Sequence, residues 1–139
     1  MSTHKGTDIG SVVTCIISQT RILLVKDESR INARWKLPGG NIESSDGDVI
    51  AAAIREVREE TGVKLLPEEV HLRSEERRTK PYYPYCCVAN VTEEKIDTRL
   101  KIADENGHPI RVADFKRSEV PTMVDLLERH RVFVREAGM

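Results

Sequence analysis

Residues 35–63 have the sequence WKLPGGNIESSDGDVIAAAIREVREETGV, in which a Pro-Gly-Gly stop leads through a polar loop into a helical pattern. The i, i+3, i+4 and i+7 spacing of one helix face is followed by Ile50, Ala53, Ile54, Val57 and Thr61. Asp48 is a natural N-cap, and Gly62 is a residue that ends helices in the left-handed conformation. The pattern predicts a helix over Val49–Thr61 with one face packed on a core.

The last two turns of this helix carry three glutamates that helix stability does not favour. Glu56 and Glu60 are four residues apart, so two like charges share a face at a cost of a few tenths of a kcal/mol. Glu59 lies beside them, and each carboxylate near a helix C-terminus opposes the helix dipole by about 0.3–1 kcal/mol. Mg²⁺ reverses this balance, because it is bound by carboxylate and carbonyl oxygens and neutralises the crowded charges.

Arg55 precedes Glu59 by four residues, so its guanidinium is placed to hold that carboxylate through two hydrogen bonds and to fix its orientation. Val57 points to the opposite face and anchors the helix in the core. Taken alone, these residues are also explained by an ordinary solvated, charged helix face.

Strands are predicted on both sides of this segment. Ser11–Ser18 and Arg21–Asp27 are rich in Val, Ile and Leu and are separated by two polar residues, which indicates a β-hairpin. Further strands are predicted over Val70–Thr79, Tyr83–Val91 and Ile110–Phe115.

A second helix and a long loop complete the predicted organisation. Pro121–Glu136 is predicted as the helix, with Pro121 in its first turn. Thr92–Pro109 is polar and charged and is predicted as a loop, and loops of that length in a compact domain are usually functional or mobile.

The sequence resembles the Nudix hydrolase family of MutT-like proteins, whose box has the pattern G-x5-E-x7-R-E-U-x-E-E-x-G-U, with U a bulky aliphatic residue. The second half of the box is matched by Arg55-Glu56-Val57-Arg58-Glu59-Glu60-Thr61-Gly62-Val63, and its first glycine by Gly40. The segment Trp35-Lys36-Leu37-Pro38-Gly39-Gly40 is similar to the lead-in common to these enzymes. Asp46 stands at the position of the first glutamate, and eight residues instead of seven separate it from Arg55, which leaves its role open.

This resemblance implies an α/β protein with the Nudix fold, an α/β/α sandwich in which a mixed β-sheet lies between helices. Residues 1–139 are expected to form one such domain. The resemblance also implies an enzyme that uses Mg²⁺, with Mn²⁺ as an alternative ion, and cleaves a diphosphate bond by attack of water on phosphorus.

The site residues implied by the resemblance lie in the box and its lead-in. The metal ligands correspond to Glu56, Glu59 and Glu60, and one of these also orients or deprotonates the water. A carbonyl of Gly39 or Gly40 corresponds to the backbone oxygen that completes the metal shell. Arg55 corresponds to the arginine that positions a glutamate.

Further candidates lie outside the box. Family members often supply another base from a loop, and Glu105 is predicted for that role, with a plain solvated carboxylate as the alternative. Tyr82 and Tyr83 are predicted to stack on a purine base, with half-buried strand positions as the alternative. Lys36 is predicted to contact a substrate phosphate.

The composition argues against several other classes. With 22 basic and 23 acidic residues the formal net charge is -1, which leaves no surplus for duplex nucleic acid or a membrane surface. No apolar stretch approaches the roughly 20 residues that cross a bilayer, and the N-terminus lacks the apolar region of a secretory signal. The cysteines lack C-x-x-C spacing and are predicted as buried thiols, so a cytoplasmic protein is expected.

Together these features predict Mg²⁺-dependent hydrolysis of a small nucleoside diphosphate-linked substrate, either a nucleoside triphosphate or a nucleotide derivative. One alternative is a catalytically silent module that binds a nucleotide as a sensor, although such a module has no need for three carboxylates with Arg55. Another is an RNA 5′-end pyrophosphohydrolase, which a local basic patch at Arg73, Arg77, Arg78 and Lys80 keeps open. The substrate and the oligomeric state stay open, with a homodimer as one alternative.

Overall fold

The structure, a computed structural model, describes residues 10–73, 84–100 and 109–138. Its first two strands are β1 (Ser11–Ile17) and β2 (Arg21–Asp27), which pair in antiparallel orientation. The β-hairpin predicted at this point of the chain is confirmed.

Strand β1 contributes core residues on both of its faces. Val12 and Ile16 belong to one hydrophobic cluster, whereas Val13, Cys15 and Ile17 belong to a second cluster. Because the side chains of a strand alternate between the two faces of a sheet, a strand that is apolar at successive positions is covered on both sides. β1 therefore lies at the centre of the fold.

The sheet is mixed. Its strand order is β4-β5-β1-β2-β6, and a short strand β3 also pairs with β1. These strands are β3 (Gly39–Asn41), β4 (Val70–Leu72), β5 (Tyr85–Asn90) and β6 (Ile110–Lys116). β1 runs parallel to β5, and the other pairings are antiparallel.

Residues 35–41, here called the inserted segment, lie between β1 and β2 where these two strands diverge. Lys36 exchanges two backbone hydrogen bonds of 2.9 Å with Val25 of β2, and the Pro38 carbonyl accepts from the Thr14 N–H of β1 at 3.0 Å. Its last residues form β3 against the start of β1. The Gly-Gly step is thereby held against the central strand.

Helices cover both faces of the sheet. α1 (Val49–Thr61) and α2 (Glu93–Ile96) pack on one face, and α3 (Glu128–Glu136) packs on the other. Their fully buried contacts include Val57 of α1 and Val134 of α3. The predicted α/β/α sandwich with a mixed sheet is confirmed, and α1 has the predicted bounds. No helix in the described ranges is long and apolar enough to cross a membrane.

The helix predicted over Pro121–Glu136 is wrong in its first half. Arg117–Thr122 forms a 3-10 helix, and α3 begins only after Leu127. The Leu127 N–H donates to the Trp35 carbonyl at 2.8 Å, so this stretch binds to the inserted segment instead of continuing a helix. The tertiary hydrogen bond outweighs the local helical pattern.

The loop predicted over Thr92–Pro109 is wrong at its start, because α2 lies within it. The Thr92 side chain caps this helix by accepting from the Lys95 N–H at 3.1 Å. Residues 101–108 of the predicted loop lie outside the described residues.

The other strand predictions are confirmed where the structure describes them. The predicted strand Val70–Thr79 contains β4, and Tyr83–Val91 contains β5. The strand predicted over Ile110–Phe115 is present as β6 and extends one residue further. Residues 74–83 lie outside the described residues.

The cysteines are buried free thiols, as expected from their apolar surroundings in the sequence. Cys15 and Cys86 pack in the core between the sheet and α3, and Cys87 packs on the α1 side. Burial raises the pKa of the Cys87 thiol to about 12, so this thiol stays protonated at neutral pH.

Candidate active site

The acidic end of α1 is positioned by caps at both ends of the helix. The Asp48 side chain accepts from the Ala51 N–H at 2.8 Å. Gly62 has a φ of 78°, and its N–H donates to the Arg58 carbonyl at 3.0 Å. A Cβ at Gly62 would also lie 2.6 Å from Leu100, so the helix ends where only glycine fits. These caps place three carboxylates in the last two turns, those of Glu56, Glu59 and Glu60.

Arg55 lies among these carboxylates. Its Nη1 is 3.2 Å from both Glu56 Oε2 and Glu59 Oε1. Its Nε and Nη2 donate to the two carboxylate oxygens of Asp46 at 2.7 and 2.9 Å, and Nη2 also donates to the Asn41 carbonyl at 3.0 Å. The expected contact with Glu59 is present through a single nitrogen, because the paired edge of the guanidinium faces Asp46.

Asp46 reaches Arg55 despite the extra residue in the box. Residues 44–46 form one 3-10 turn, in which the Asp46 carboxylate accepts from the Glu43 N–H at 2.8 Å. The Asp46 side chain is only 5% exposed, and the Arg55 guanidinium holds the pKa of its carboxyl below its usual range. Asp46 therefore acts as an ionised partner that orients Arg55.

Glu56 is the most buried of the three glutamates, with 9% of its surface exposed. Its carboxylate lies against Gly40, where a Cβ atom would stand only 2.6–2.8 Å from the carboxylate atoms. Burial raises the pKa of Glu56, Arg55 lowers it in part, and the neighbouring Glu59 raises it again. Gly40 thus makes room for a buried carboxylate whose negative charge is incompletely compensated.

Glu60 faces the other glycine of the inserted segment. The Gly39 N–H donates to Glu60 Oε1 at 3.0 Å. A Cβ at Gly39 would collide with the Val12 carbonyl of β1, because the two backbones approach closely. The two glycines therefore let the chain pass between the central strand and the carboxylates of α1.

The oxygen-rich donor set at this position suits Mg²⁺. Carboxylates and backbone carbonyls are hard ligands of the kind that Mg²⁺ prefers. Because Gly40 has no side chain, its backbone lies directly against the buried Glu56 carboxylate. Over residues 10–73, 84–100 and 109–138, no three Asp, Glu, His or Cys side chains are already gathered to hold a metal ion. Glu59 is instead bound by Arg55, and Glu60 by the Gly39 N–H.

A cleft of about 640 Å³, here called the substrate cleft, opens between β1, the inserted segment and α3. Its volume is within the usual range of small-molecule sites. Its lining includes Lys36, Gly39, Gly40, His130 and Phe133. Gly39 and Gly40 also contact the Glu60 and Glu56 carboxylates of α1. The substrate cleft therefore adjoins the acidic cluster formed by Glu56, Glu59 and Glu60.

His130 is a buried imidazole in the wall of this cleft. Its Nδ1 accepts from the Leu37 N–H at 3.0 Å, so a neutral ring carries its proton on Nε2. Burial lowers the pKa of His130 to about 4, and the nearby positive charges of Arg129 and Lys36 add to this effect. His130 is therefore neutral at physiological pH and ties α3 to the inserted segment.

The structure brings most of the predicted site residues together. Arg55, the three glutamates and the two glycines form one cluster, and Lys36 lines the adjoining substrate cleft. Three other predicted residues lie outside the described residues, namely Tyr82, Tyr83 and Glu105.

Sequence reasoning missed His130 and Arg129, which line the substrate cleft from α3. The apolar positions at Leu126, Phe133 and Val134 give the buried face of this segment, and His130 has the helical spacing of that face. That spacing could have indicated a buried histidine, but nothing local in the sequence indicates its bond to the inserted segment.

These observations define a class of protein, an α/β/α sandwich in which a carboxylate-rich helix end adjoins a cleft of nucleotide size. A family model described as the NUDIX domain matches residues 8–131. The chain therefore belongs to the Nudix hydrolase family, a family of enzymes.

The curated relatives each match a little less than half of this chain. "Nucleoside diphosphate-linked moiety X motif 6" of Mus musculus is 40% identical over 63 residues, which are 45% of this chain and 19% of the relative. "m7GpppN-mRNA hydrolase NUDT17" of Danio rerio is 33% identical over 69 residues, 48% of this chain and 23% of the relative. The matched part thus spans about a fifth of the length of these relatives.

The likeness to solved structures extends over nearly the whole chain. The NUDIX domain of Shewanella oneidensis NrtR, solved in complex with ADP ribose, has a TM-score of 0.70 and 18% sequence identity. The match covers 93% of this chain and 85% of that one. At this identity the likeness establishes a shared fold.

Proposed function

We propose that this protein hydrolyses a diphosphate bond in a nucleoside diphosphate-linked substrate with the help of Mg²⁺. In this reaction a water oxygen bonds to phosphorus, one phosphoanhydride P–O bond breaks, and two phosphate products leave. The observation that carries the proposal is the buried Glu56 carboxylate, which lies beside Arg55 and against Gly40, a residue that also lines the substrate cleft.

The ion would be held by Glu56, Glu59 and Glu60 together with a carbonyl of Gly39 or Gly40. When bound, Mg²⁺ neutralises phosphate charge and lowers the pKa of water. Arg55 sets the orientation of two of the carboxylates, and Asp46 sets the orientation of Arg55. The proton of the attacking water passes to one of the three glutamates or to Glu105, which is proposed as the additional base.

The substrate cleft is proposed to receive the nucleoside part of the substrate. Lys36 lines this cleft and provides a positive charge for the phosphates next to the Gly-Gly step. Tyr82 and Tyr83 are proposed to stack on the base, and this proposal is supported by the presence of Pro84, the next residue of the chain, in the cleft lining. A relative bound to ADP ribose and a relative named m7GpppN-mRNA hydrolase favour nucleotides that contain a phosphoanhydride bridge.

A substrate panel tests this proposal. The purified protein is incubated with Mg²⁺ and, separately, with Mn²⁺ in the presence of nucleoside triphosphates, ADP-ribose, dinucleoside polyphosphates and nucleotide sugars. We expect metal-dependent release of phosphate, pyrophosphate or nucleoside monophosphate from at least one compound. Inactivity on the whole panel with both ions would favour the silent sensor instead.

Two matched variants locate the activity on α1. Glu59→Gln removes one carboxylate charge of the acidic cluster and should lower kcat by about a hundredfold, whereas the fold is retained because charge repulsion at the helix end decreases. Glu94→Gln removes an exposed glutamate from α2 and should leave kcat unchanged. Wild-type turnover of Glu59→Gln would contradict the assignment of the metal site.

A further inference from the structure

The peptide unit between Lys36 and Leu37, in the inserted segment, is held at both of its edges. On one edge the Leu37 N–H donates to Nδ1 of His130 in α3 at 3.0 Å. On the other edge the Lys36 carbonyl accepts from the Val25 N–H of β2 at 2.9 Å. Because a peptide unit is planar and stiff, these two bonds fix both its position and its orientation between α3 and β2.

The peptide unit between Pro38 and Gly39 is held in the same way, at the acidic end of α1. The Pro38 carbonyl accepts from the Thr14 N–H of β1 at 3.0 Å, and the Gly39 N–H donates to Glu60 Oε1 at 3.0 Å. Gly40 follows directly, and a carbonyl of one of these two glycines is proposed to bind the ion. The second peptide unit therefore sets where that carbonyl lies relative to the carboxylates of α1.

The link between the two peptide units is a single Leu37–Pro38 step, and this step is stiff. The ring of Pro38 fixes its φ at about −65°, and the residue before a proline is also restricted in its backbone conformation. The Leu37 side chain is 1% exposed and packs in the same core cluster as the buried residues of α3. A displacement of the first peptide unit is therefore passed on to the second.

His130 is itself firmly placed. Its imidazole is buried, and the neighbouring Phe133 and Val134 anchor α3 in the core. Leu37 is buried as well, so a side chain without an acceptor at position 130 would leave the Leu37 N–H unpaired. A buried N–H without a partner is unfavourable, and the chain would move to recover a hydrogen bond. Loss of the acceptor should therefore displace the inserted segment.

We propose that His130 is a positioning residue for the metal site. Through the backbone of Leu37 and Pro38 it holds the Gly-Gly step in place against the Glu56 and Glu60 carboxylates. The inference rests on the proposed function, because the site that His130 serves is the proposed Mg²⁺ site. His130 acts on this site from the opposite face of the sheet, since α3 and α1 lie on different faces.

Three variants separate the hydrogen bond from the packing of α3. His130→Asn keeps an acceptor, because Asn Oδ1 and His Nδ1 are both attached to Cγ. His130→Phe keeps an aromatic ring but removes the acceptor, and His130→Leu replaces it if the phenylalanine variant does not fold. Val134→Ala is the control, because it loosens the core packing of α3 and leaves the bond to Leu37 in place.

The first measurement is amide hydrogen exchange by NMR in the metal-free protein. The rate at the Gly39 N–H is divided by the rate at the Val57 N–H of α1, which corrects for a change in overall stability. We expect this ratio to rise about tenfold in His130→Phe and to stay within about twofold of the wild type in His130→Asn and Val134→Ala. An unchanged ratio in His130→Phe would overturn the proposal.

The second measurement is the affinity for Mg²⁺ without substrate, determined by titration calorimetry. His130→Phe should bind Mg²⁺ about tenfold more weakly than the wild type, whereas His130→Asn and Val134→Ala should bind it within about twofold of the wild type. Wild-type affinity in His130→Phe would refute the positioning role alone. No saturable binding by the wild type would refute the proposed metal site, and the positioning role with it, whatever the exchange ratio.

Discussion

Among the described residues, Arg21 and Arg55 each lie within 3.2 Å of three carboxylates, but the pKa values of those carboxylates differ between the two clusters. Arg21 of β2 lies 2.9–3.2 Å from Glu93, Asp97 and Asp114. Hydrogen bonds from Ser18 and Arg21 lower the pKa of Glu93 to about 2. Arg21 likewise lowers the pKa of Asp97, so two carboxylates of this cluster are stabilised in the charged form.

In the Arg55 cluster, which consists of Arg55, Asp46, Glu56 and Glu59, the pKa values of the carboxylates shift in both directions. Asp46 has a lowered pKa because of Arg55, as in the Arg21 cluster. Glu56, however, has a raised pKa, because burial outweighs the contribution of Arg55 and the charge of Glu59 acts in the same direction as burial. Arg21 thus lowers the pKa of Glu93 and Asp97, whereas the pKa of Glu56 stays raised beside Arg55. We propose that the bound metal ion compensates the Glu56 charge.

The largest expected difference between the clusters is in activity. Glu56→Gln should lower kcat by about a hundredfold or more, because it removes a proposed ligand of the ion. The same variant should keep or raise the thermal unfolding temperature, since a buried charge is removed. Glu93→Gln should show the opposite pattern, with kcat retained and the unfolding temperature lowered. Both quantities are measured on the preferred substrate of the panel and by calorimetry.

A contrary outcome for this pair of variants has a definite meaning. If Glu56→Gln and Glu93→Gln both lower the unfolding temperature and leave kcat unchanged, the two clusters are both structural. The proposed division between them would then be wrong.

A smaller effect is expected in the dependence of stability on pH. The pKa of Glu93 is about 2 in the folded state and near 4.5 when unperturbed, so its contribution to stability is complete above pH 4.5 and is lost as pH falls toward 2. The pKa of Glu56 is raised, so its protonation in the folded state favours folding as pH falls. Urea unfolding at several pH values should therefore show a shallower acid decline for Glu93→Gln and a steeper one for Glu56→Gln.

His130 provides an internal reference in the same measurement. Its folded pKa of about 4 lies below the unperturbed value of 6.5, so the unfolded chain binds a proton first and stability declines as pH falls between these values. This decline amounts to about 3 kcal/mol and should be present in both glutamate variants. Its absence from the wild type would show that the imidazole is not held in a neutral, buried state.

The sequence predicts the Arg55 cluster far better than the Arg21 cluster, for a physical reason. Arg55 and Glu59 lie within one helix whose caps are local, so their i, i+4 spacing alone places them on one face. Arg21 meets Glu93 and Asp114 across 72 and 93 residues, and these contacts form only when the sheet has folded. Local order is predictable from periodicity, whereas contacts between distant segments are not.

The same limit explains the errors at α3. The apolar spacing after Pro121 predicts a continuous helix, but the Trp35 backbone accepts from the Leu127 N–H and donates to the Asp125 carbonyl, and these two bonds hold the chain in another conformation up to α3. The bond from Leu37 to His130 likewise joins residues that are 93 positions apart. The box and its helix could therefore be predicted from the sequence, whereas the wall that α3 contributes to the substrate cleft could not.

The most direct test of the account is the binding of Mg²⁺ to the protein without substrate, measured by titration calorimetry. We expect saturable binding by the wild type, affinity at least about tenfold weaker for Glu56→Gln, and unchanged affinity for Glu93→Gln. Wild-type affinity in Glu56→Gln, or no saturable binding by the wild type, would contradict the claim that the uncompensated carboxylate at Gly40 is the core of a metal site.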